Sequence, residues 1–214
     1  MGLHAFDPTR VRAFGRQAEH PRLLDVVVET PPAEEPVTLA ELKEWLRVDG
    51  TDQDSLITSL IVSARQWAEG YTSRSFVDRA LDVTWARFPV VGADLYLPGP
   101  PATALTALTW IDSAGTAQAF DTTDTTLEAL YGLLRVDPDA VENWPQDAFS
   151  VRALYTGGFG ADAAAVPEPI KTAIKVAVTQ NFLFRGDQIA GTQFSTAQLK
   201  SSMSLLNHFR MFRT

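Results

Sequence analysis

Cysteine is absent from the 214 residues, histidine occurs only three times, and no apolar run approaches the roughly 20 residues that span a bilayer. Without thiols there is no disulfide, no thiolate nucleophile and no cysteine-bound metal. His4, His20 and His208 stand far from the one-turn spacing that lets two imidazoles share a metal, so each reads as a surface residue. The nucleophile elbow G-x-S-x-G and the phosphate loop G-x-x-x-x-G-K-[ST] are missing too. Positive charge is scarce: 18 Lys and Arg face 26 Asp and Glu, a net charge of −8. Nucleic acid is held by cations that neutralise phosphates, so the surface as a whole is not built to bind it, although DNA can slide past an acidic wall. The first twenty residues are interrupted by charge and lack the apolar core of a secretory signal, which reads as a protein made and kept in the cytoplasm.

What is present describes an ordinary globular chain: 45% hydrophobic, 10% aromatic and 21% charged. Its length suits one domain with an insertion. Residues 1–36 show no sustained periodicity and read as an N-terminal arm and linker, made locally basic by Arg10, Arg12, Arg16 and Arg22. Thr30 to Pro36 (TPPAEEP) closes this arm, because proline continues neither a helix nor a central strand.

A single domain over residues 37–185 is expected next. Thr38 and Glu41 form a T-x-x-E capping box and predict a helix over 38–47, with Leu39, Leu42, Trp45 and Leu46 on its apolar side. Leu56, Ile57, Leu60, Ile61, Ala64, Trp67, Ala68 and Tyr71 recur at three and four and predict a second helix over 53–71. The pair makes a helical hairpin. From Arg79 to Gly160 short runs of β-formers alternate with turn residues and predict an inserted antiparallel β-layer. Within it, seven acids between Asp121 and Asp147 face the single base Arg135, which reads as a solvated, loop-rich stretch. Pro169 opens a third helix over 168–185 with an apolar stripe through Ile170, Ala173, Ile174, Ala177, Val178 and Phe182. Residues 186–214 follow as an extended C-terminal tail carrying an amphipathic helix. The fold class expected is α+β, a helical bundle with an inserted antiparallel β-layer.

Candidate chemistry is thin. Gly158 to Ala163 (GFGADA) has the form G-x-G-x-x-A, but prolines at 167 and 169 delay the following helix and the strands before it look antiparallel, so a glycine turn leaving a strand is the better reading. Asp137, Asp139 and Glu142 lack the ligand spacing of a calcium loop. Four of the five tryptophans, Trp45, Trp67, Trp85 and Trp110, fall on expected helices or strands and read as core; Trp144 is the fifth. The chain end differs: Leu205, Leu206, Phe209, Arg210, Phe212 and Arg213 put apolar groups and arginines where they have little purpose unless they dock. No catalytic residue, cofactor or metal is expected.

The ordered segments V-T-L-A-E-L-K-E-W-L-R-V-D (Val37 to Asp49) and D-S-L-I-T-S-L-I-V-S-A-R-Q-W-A-E-G-Y-T-S-R (Asp54 to Arg74) resemble the opening hairpin of phage head-tail connector proteins. L-P-G-P-P-A (Leu97 to Ala102), Y-T-G-G-F-G (Tyr155 to Gly160), V-P-E-P-I-K-T-A-I (Val166 to Ile174) and L-L-N-H-F-R (Leu205 to Arg210) fall in the same order, so the resemblance covers residues 37–214. It implies a structural, non-enzymatic adaptor of a phage, prophage or gene transfer agent particle. Such a protein assembles in the bacterial host's cytoplasm and ends at the virion's head-tail junction. The implied partners are further copies in a ring, a dodecamer under the portal protein, then a stopper or tail completion protein; DNA passes through the lumen unbound, and no membrane is involved. The C-terminal tail is expected to reach the portal. The arm before Val37 departs from the family pattern; Arg10, Arg12, Arg16, Arg22, Leu23 and Leu24 are expected to lie on a neighbouring subunit or another particle protein. The competing readings are a soluble dimeric binding module and a small nucleotide-binding enzyme using the Gly158 turn.

Overall fold

The computed structural model describes residues 21–137, 143–183 and 195–211. The elements in chain order are β1 (Leu23–Thr30), α1 (Leu39–Leu46), α2 (Asp54–Thr72), β2 (Arg79–Trp85), β3 (Leu95–Tyr96), β4 (Ala102–Ile111), β5 (Ala117–Ala119), β6 (Thr125–Glu128), β7 (Leu133–Val136), β8 (Ser150–Gly157), α3 (Glu168–Leu183) and α4 (Ser195–Leu206). The class is α+β. A five-stranded antiparallel sheet has the order β1-β2-β8-β4-β5, and a smaller sheet has the order β3-β7-β6.

The capping box at Thr38 forms as its sequence requires. Thr38 Oγ1 accepts from the Glu41 amide at 3.2 Å, and the Glu41 carboxylate accepts from the Thr38 amide at 2.8 Å. Those two bonds satisfy backbone donors that a helix start otherwise leaves open. The α1–α2 hairpin is pinned by Lys43, whose ammonium donates to Asp54 at 2.7 Å and to the Gly50 carbonyl. Both helices end on a left-handed residue, Arg47 (φ 55°) and Ser73 (φ 56°).

Two cores result. The helical one buries Leu42 of α1, Ile57, Ile61, Ala64 and Ala68 of α2, Ile170, Ala173, Ile174 and Val178 of α3, and Leu206 at the end of α4. The sheet core buries Leu81, Val83 and Trp85 of β2 with Val151, Ala153 and Tyr155 of β8; it ends in an aromatic group where Phe88 and Trp144 stack at 5.2 Å and Phe120 lies 5.1 Å from Trp144. Of the four tryptophans expected in the core, Trp45 departs, and the fifth, Trp144, joins the core. Trp144 is buried, its indole N–H donating to the Ala93 carbonyl at 2.7 Å, while Trp45 is half exposed and donates to Thr179 Oγ1.

A buried polar seam joins α2 to the sheet. Glu69 accepts from Arg65 at 2.8 Å, from Arg79 at 3.1 Å and from the Phe76 amide at 3.1 Å, and Arg65 also holds Glu35 of the linker at 2.7 Å. Desolvation lowers the Arg65 pKa and its two carboxylate partners raise it, with a net rise.

Two expectations are corrected here. Leu23–Thr30 is a strand rather than part of a free arm: β1 adds to β2 antiparallel, pairing Val26 with Val83 and Val28 with Leu81. Three consecutive valines satisfy a ladder better than solvent. The described end of the chain is not extended. Helix α4 packs on α3, and Asn207–Phe209 continues as a 3-10 turn, two residues beyond which Met211 donates its amide to the Thr72 carbonyl at 2.9 Å. The physical reason is the uncovered apolar stripe of α3, which α4 covers.

Candidate assembly surfaces

Three surfaces are built from residues that packing inside the chain leaves open. The first gathers around Arg74, just past the end of α2. Its guanidinium is buried, donating to the Phe209 carbonyl at 2.6 Å, the Leu130 carbonyl at 3.0 Å and Met211 Sδ at 3.1 Å. Burial pulls its pKa down from the usual arginine value. Arg74 thus ties the chain end to the β6–β7 turn. Around this clamp, Tyr71 donates to Asn207, Arg210 lies over the Tyr71 ring at 5.2 Å, Phe209 meets Phe159 edge-on, and Leu130 and Tyr131 are exposed.

The tail residues read as docking groups therefore divide. Leu206 is fully buried in the chain's own core, and Leu205 and Phe209 pack half-buried against it, so these three hold the tail to the body. Their apolar side chains complete the α2–α3 core, which sequence periodicity alone does not assign to a tail. Arg210 is exposed; Phe212 and Arg213 lie outside the described residues.

The second surface is the open edge of β1. Leu24 is 50% exposed and Val26, Val27 and Val28 are 42%, 44% and 44% exposed, on both faces of the strand. Leu23 packs on the sheet core opposite Trp85, and the Arg22 carbonyl accepts from Ala86 at 3.0 Å, which fixes where the N-terminal segment enters. Arg10, Arg12 and Arg16 lie outside the described residues. On the polar face of this edge, Arg152 pairs with Asp82 and lies 3.7 Å from Glu29. That pairing holds the Asp82 carboxyl below its usual range.

The third surface is the end of the sheet away from the helices. Val90, Val91, Ile111 and Phe149 are exposed there, with the Phe149 amide donating to Ile111 at 2.9 Å. Sequence reading missed this set; the one signal was an apolar Phe149 directly before the β8 run.

The acidic stretch is solvated where it is described. Asp121 caps its own turn through Thr123, Asp137 accepts from Thr126, and Arg135 is forked onto Asp94 at 2.8 and 2.9 Å. Asp139 and Glu142 lie outside the described residues. Among the described residues no group of His, Asp and Glu can hold a metal, and no helix is long and apolar enough to cross a membrane. The Gly158 turn is accounted for by packing. A methyl group on Gly158 would lie 2.4 Å from the Asp78 amide and 2.5 Å from its carboxylate, so glycine is required by close approach, and the nearest side chain is an anion that would repel a pyrophosphate.

Comparison with known proteins agrees with this architecture. Residues 36–100, which hold both hairpin helices and strands β2 and β3, match the family of phage gp6-like head-tail connector proteins. That segment of the chain is similar to the phage head-tail connector family. Among solved structures the chain is similar to a chain of the neck of an empty gene transfer agent particle computed with C6 symmetry, with a TM-score of 0.70 and 22% identity over 89% of this chain and 97% of that one. It is similar to chains in the virion of the native particle (TM-score 0.69, 22% identity) and in the native neck computed with C12 symmetry (TM-score 0.69, 21% identity), at the same coverage. A search of curated proteins finds no match.

Proposed function

We propose that this chain is a structural head-tail adaptor that assembles as a twelvefold ring beneath the portal protein and gives a stopper or tail completion protein its docking surface. The observation that carries the reading is the likeness of nearly the whole chain to neck proteins of a phage-like particle, together with the matched connector segment at 36–100. Separate open surfaces suit a ring subunit, because ring contacts are heterologous and need two different patches per subunit.

In this reading the portal contact is the chain end. Leu205, Leu206 and Phe209 act as its anchor, and Arg210, Phe212 and Arg213 are the groups presented. The arm residues Arg10, Arg12, Arg16, Arg22, Leu23 and Leu24 contribute to subunit contacts, and the acidic stretch faces a lumen through which DNA slides. The adaptor acts by binding, with no reaction, cofactor or metal.

Mixing purified protein with portal rings tests it. Cryo-electron microscopy should show a ring of this protein on the portal, and a variant ending at Met211 should keep its thermal transition and lose portal binding. Undiminished binding by that variant removes the chain end as the portal contact, and a lumen lined by basic residues removes the DNA-wall role.

A further inference from the structure

We infer that the open edge of β1 is completed by residues 9–13 of a neighbouring copy, which add a sixth strand to its sheet; the inference rests on the ring reading above. Natural edges are blunted by charge or proline, yet the centre of this one is Val26, Val27 and Val28, each more than 40% exposed. The strand's two faces differ. Val26 and Val28 pair with Val83 and Leu81 and continue the apolar face, whereas Asp25 and Val27 pair with Thr84 and Asp82 on the polar face, where Glu29 also approaches Arg152. That polar face carries Asp25, Glu29 and Asp82 against one guanidinium.

Thr9 to Ala13 (TRVRA) has the complementary alternation, two arginines on one side and Val11 with Thr9 and Ala13 on the other. Laid along β1 with Val11 extending the valine row, it sets Arg10 and Arg12 on the polar face, one beside Asp25 or Glu29 and the other opposite Val27 between them, within diagonal reach of the acids. It lies close to the edge in sequence and opposes its charge.

Residues 14–22 form the connector between that segment and β1. Nine residues reach about 30 Å when extended, enough to cross to an adjacent subunit. They also exceed the two to five residues that usually turn a chain back on its own edge. An arm from one copy on an edge of the next is a heterologous contact, the kind that closes a ring.

The absence of native cysteine makes the test clean. V11C is combined with V26C or with V28C, the two core-face positions, in full-length protein assembled on portal rings and then oxidised. The expected result is covalent species of three or more subunits with at least one of the two pairs. A monomer closed by an internal disulfide, or no disulfide with either pair, overturns the inference. V26C or V28C alone giving a covalent dimer also overturns it, because β1 would then pair with its own copy. Because the cysteine variants touch β1, a second set lies in the arm: R10E with R12E should lower ring formation at low salt about tenfold, and D25R with E29R should restore it. Unchanged ring formation by R10E with R12E overturns the inference as well. Unmodified protein is imaged on the portal in parallel. Rings there without a covalent ladder sink only this inference, whereas no rings at all sinks the adaptor reading with it.

Discussion

Glu69 and Arg79 meet at 3.1 Å across the boundary between helix α2 and strand β2, and this contact is what joins the two cores. Glu69 takes two further donors, Arg65 and the Phe76 amide, so one carboxylate organises both sides of the seam. Removing it takes from Arg79 the carboxylate it pairs with and leaves Arg65 with Glu35 alone, in a poorly hydrated site. Glu69→Ala should lower the unfolding free energy by about 3 kcal/mol, and Glu69→Gln, which keeps an acceptor, by less. Urea denaturation followed by circular dichroism measures both, and equal losses would show that the charge is unimportant.

Much of the helical layer was legible because its residues obey local rules. The capping box at Thr38 and Glu41 and the three-four spacing from Leu56 to Tyr71 each depend on neighbours within one or two turns. The seam was not legible, since Glu35 comes from the linker 30 residues before Arg65 and Arg79 returns to Glu69 only through the turn between α2 and β2, contacts that no helical periodicity announces. The same holds for β1: its valines look like a strand, but the partner strand lies beyond an intervening helical hairpin. Leu206 carried a misleading signal, because an apolar residue near a chain end reads as a docking group until α3 is seen to need a cover.

That division of the tail is directly testable. Leu206→Ala should cost about 2–5 kcal/mol, as a fully buried leucine does, while Arg210→Ala should change stability by less than about 0.5 kcal/mol. Thermal unfolding of the two variants checks it, and comparable midpoints would contradict the burial of Leu206.

Asp78 gives a pH dependence whose sign runs opposite to the usual carboxylate. Its Oδ1 is buried without a hydrogen-bond partner, and desolvation raises its pKa, opposed by the Gly160 amide. A carboxyl whose folded pKa is raised destabilises the fold above that pKa, and the penalty fades as pH falls through it. Asp78→Asn should therefore be more stable than the parent at pH 7, by roughly 1 kcal/mol, and lose that advantage near pH 3. Gly158→Ala, which drives a methyl group into Asp78, should destabilise at every pH. Parallel denaturation series at the two pH values read both effects, and a constant difference for Asp78→Asn would rule out ionisation as the cause.

The Arg74 side chain touches the tail and the β6–β7 turn together, through the carbonyls of Phe209 and Leu130. No carboxylate among the described residues pairs with it, so its charge is met by carbonyl dipoles and the Met211 thioether. A planar fork suits two carbonyls in different directions; a lysine ammonium on a flexible stem does not reproduce that geometry. Arg74→Ala should cost about 1–3 kcal/mol, the penalty for leaving buried acceptors unpaired, and Arg74→Lys should recover only part of it. The more specific consequence is local. The Met211 amide, held on the Thr72 carbonyl at 2.9 Å, should exchange with solvent faster in Arg74→Ala than amides in the middle of α2. If the chain end presents Arg210 and the residues after it to the portal, the same variant should also weaken portal binding without altering any residue in that contact. Loss of protection at Met211 with full portal affinity would separate the clamp from assembly, and protection unchanged in Arg74→Ala would show that α4 and the Leu206 anchor hold the end without it.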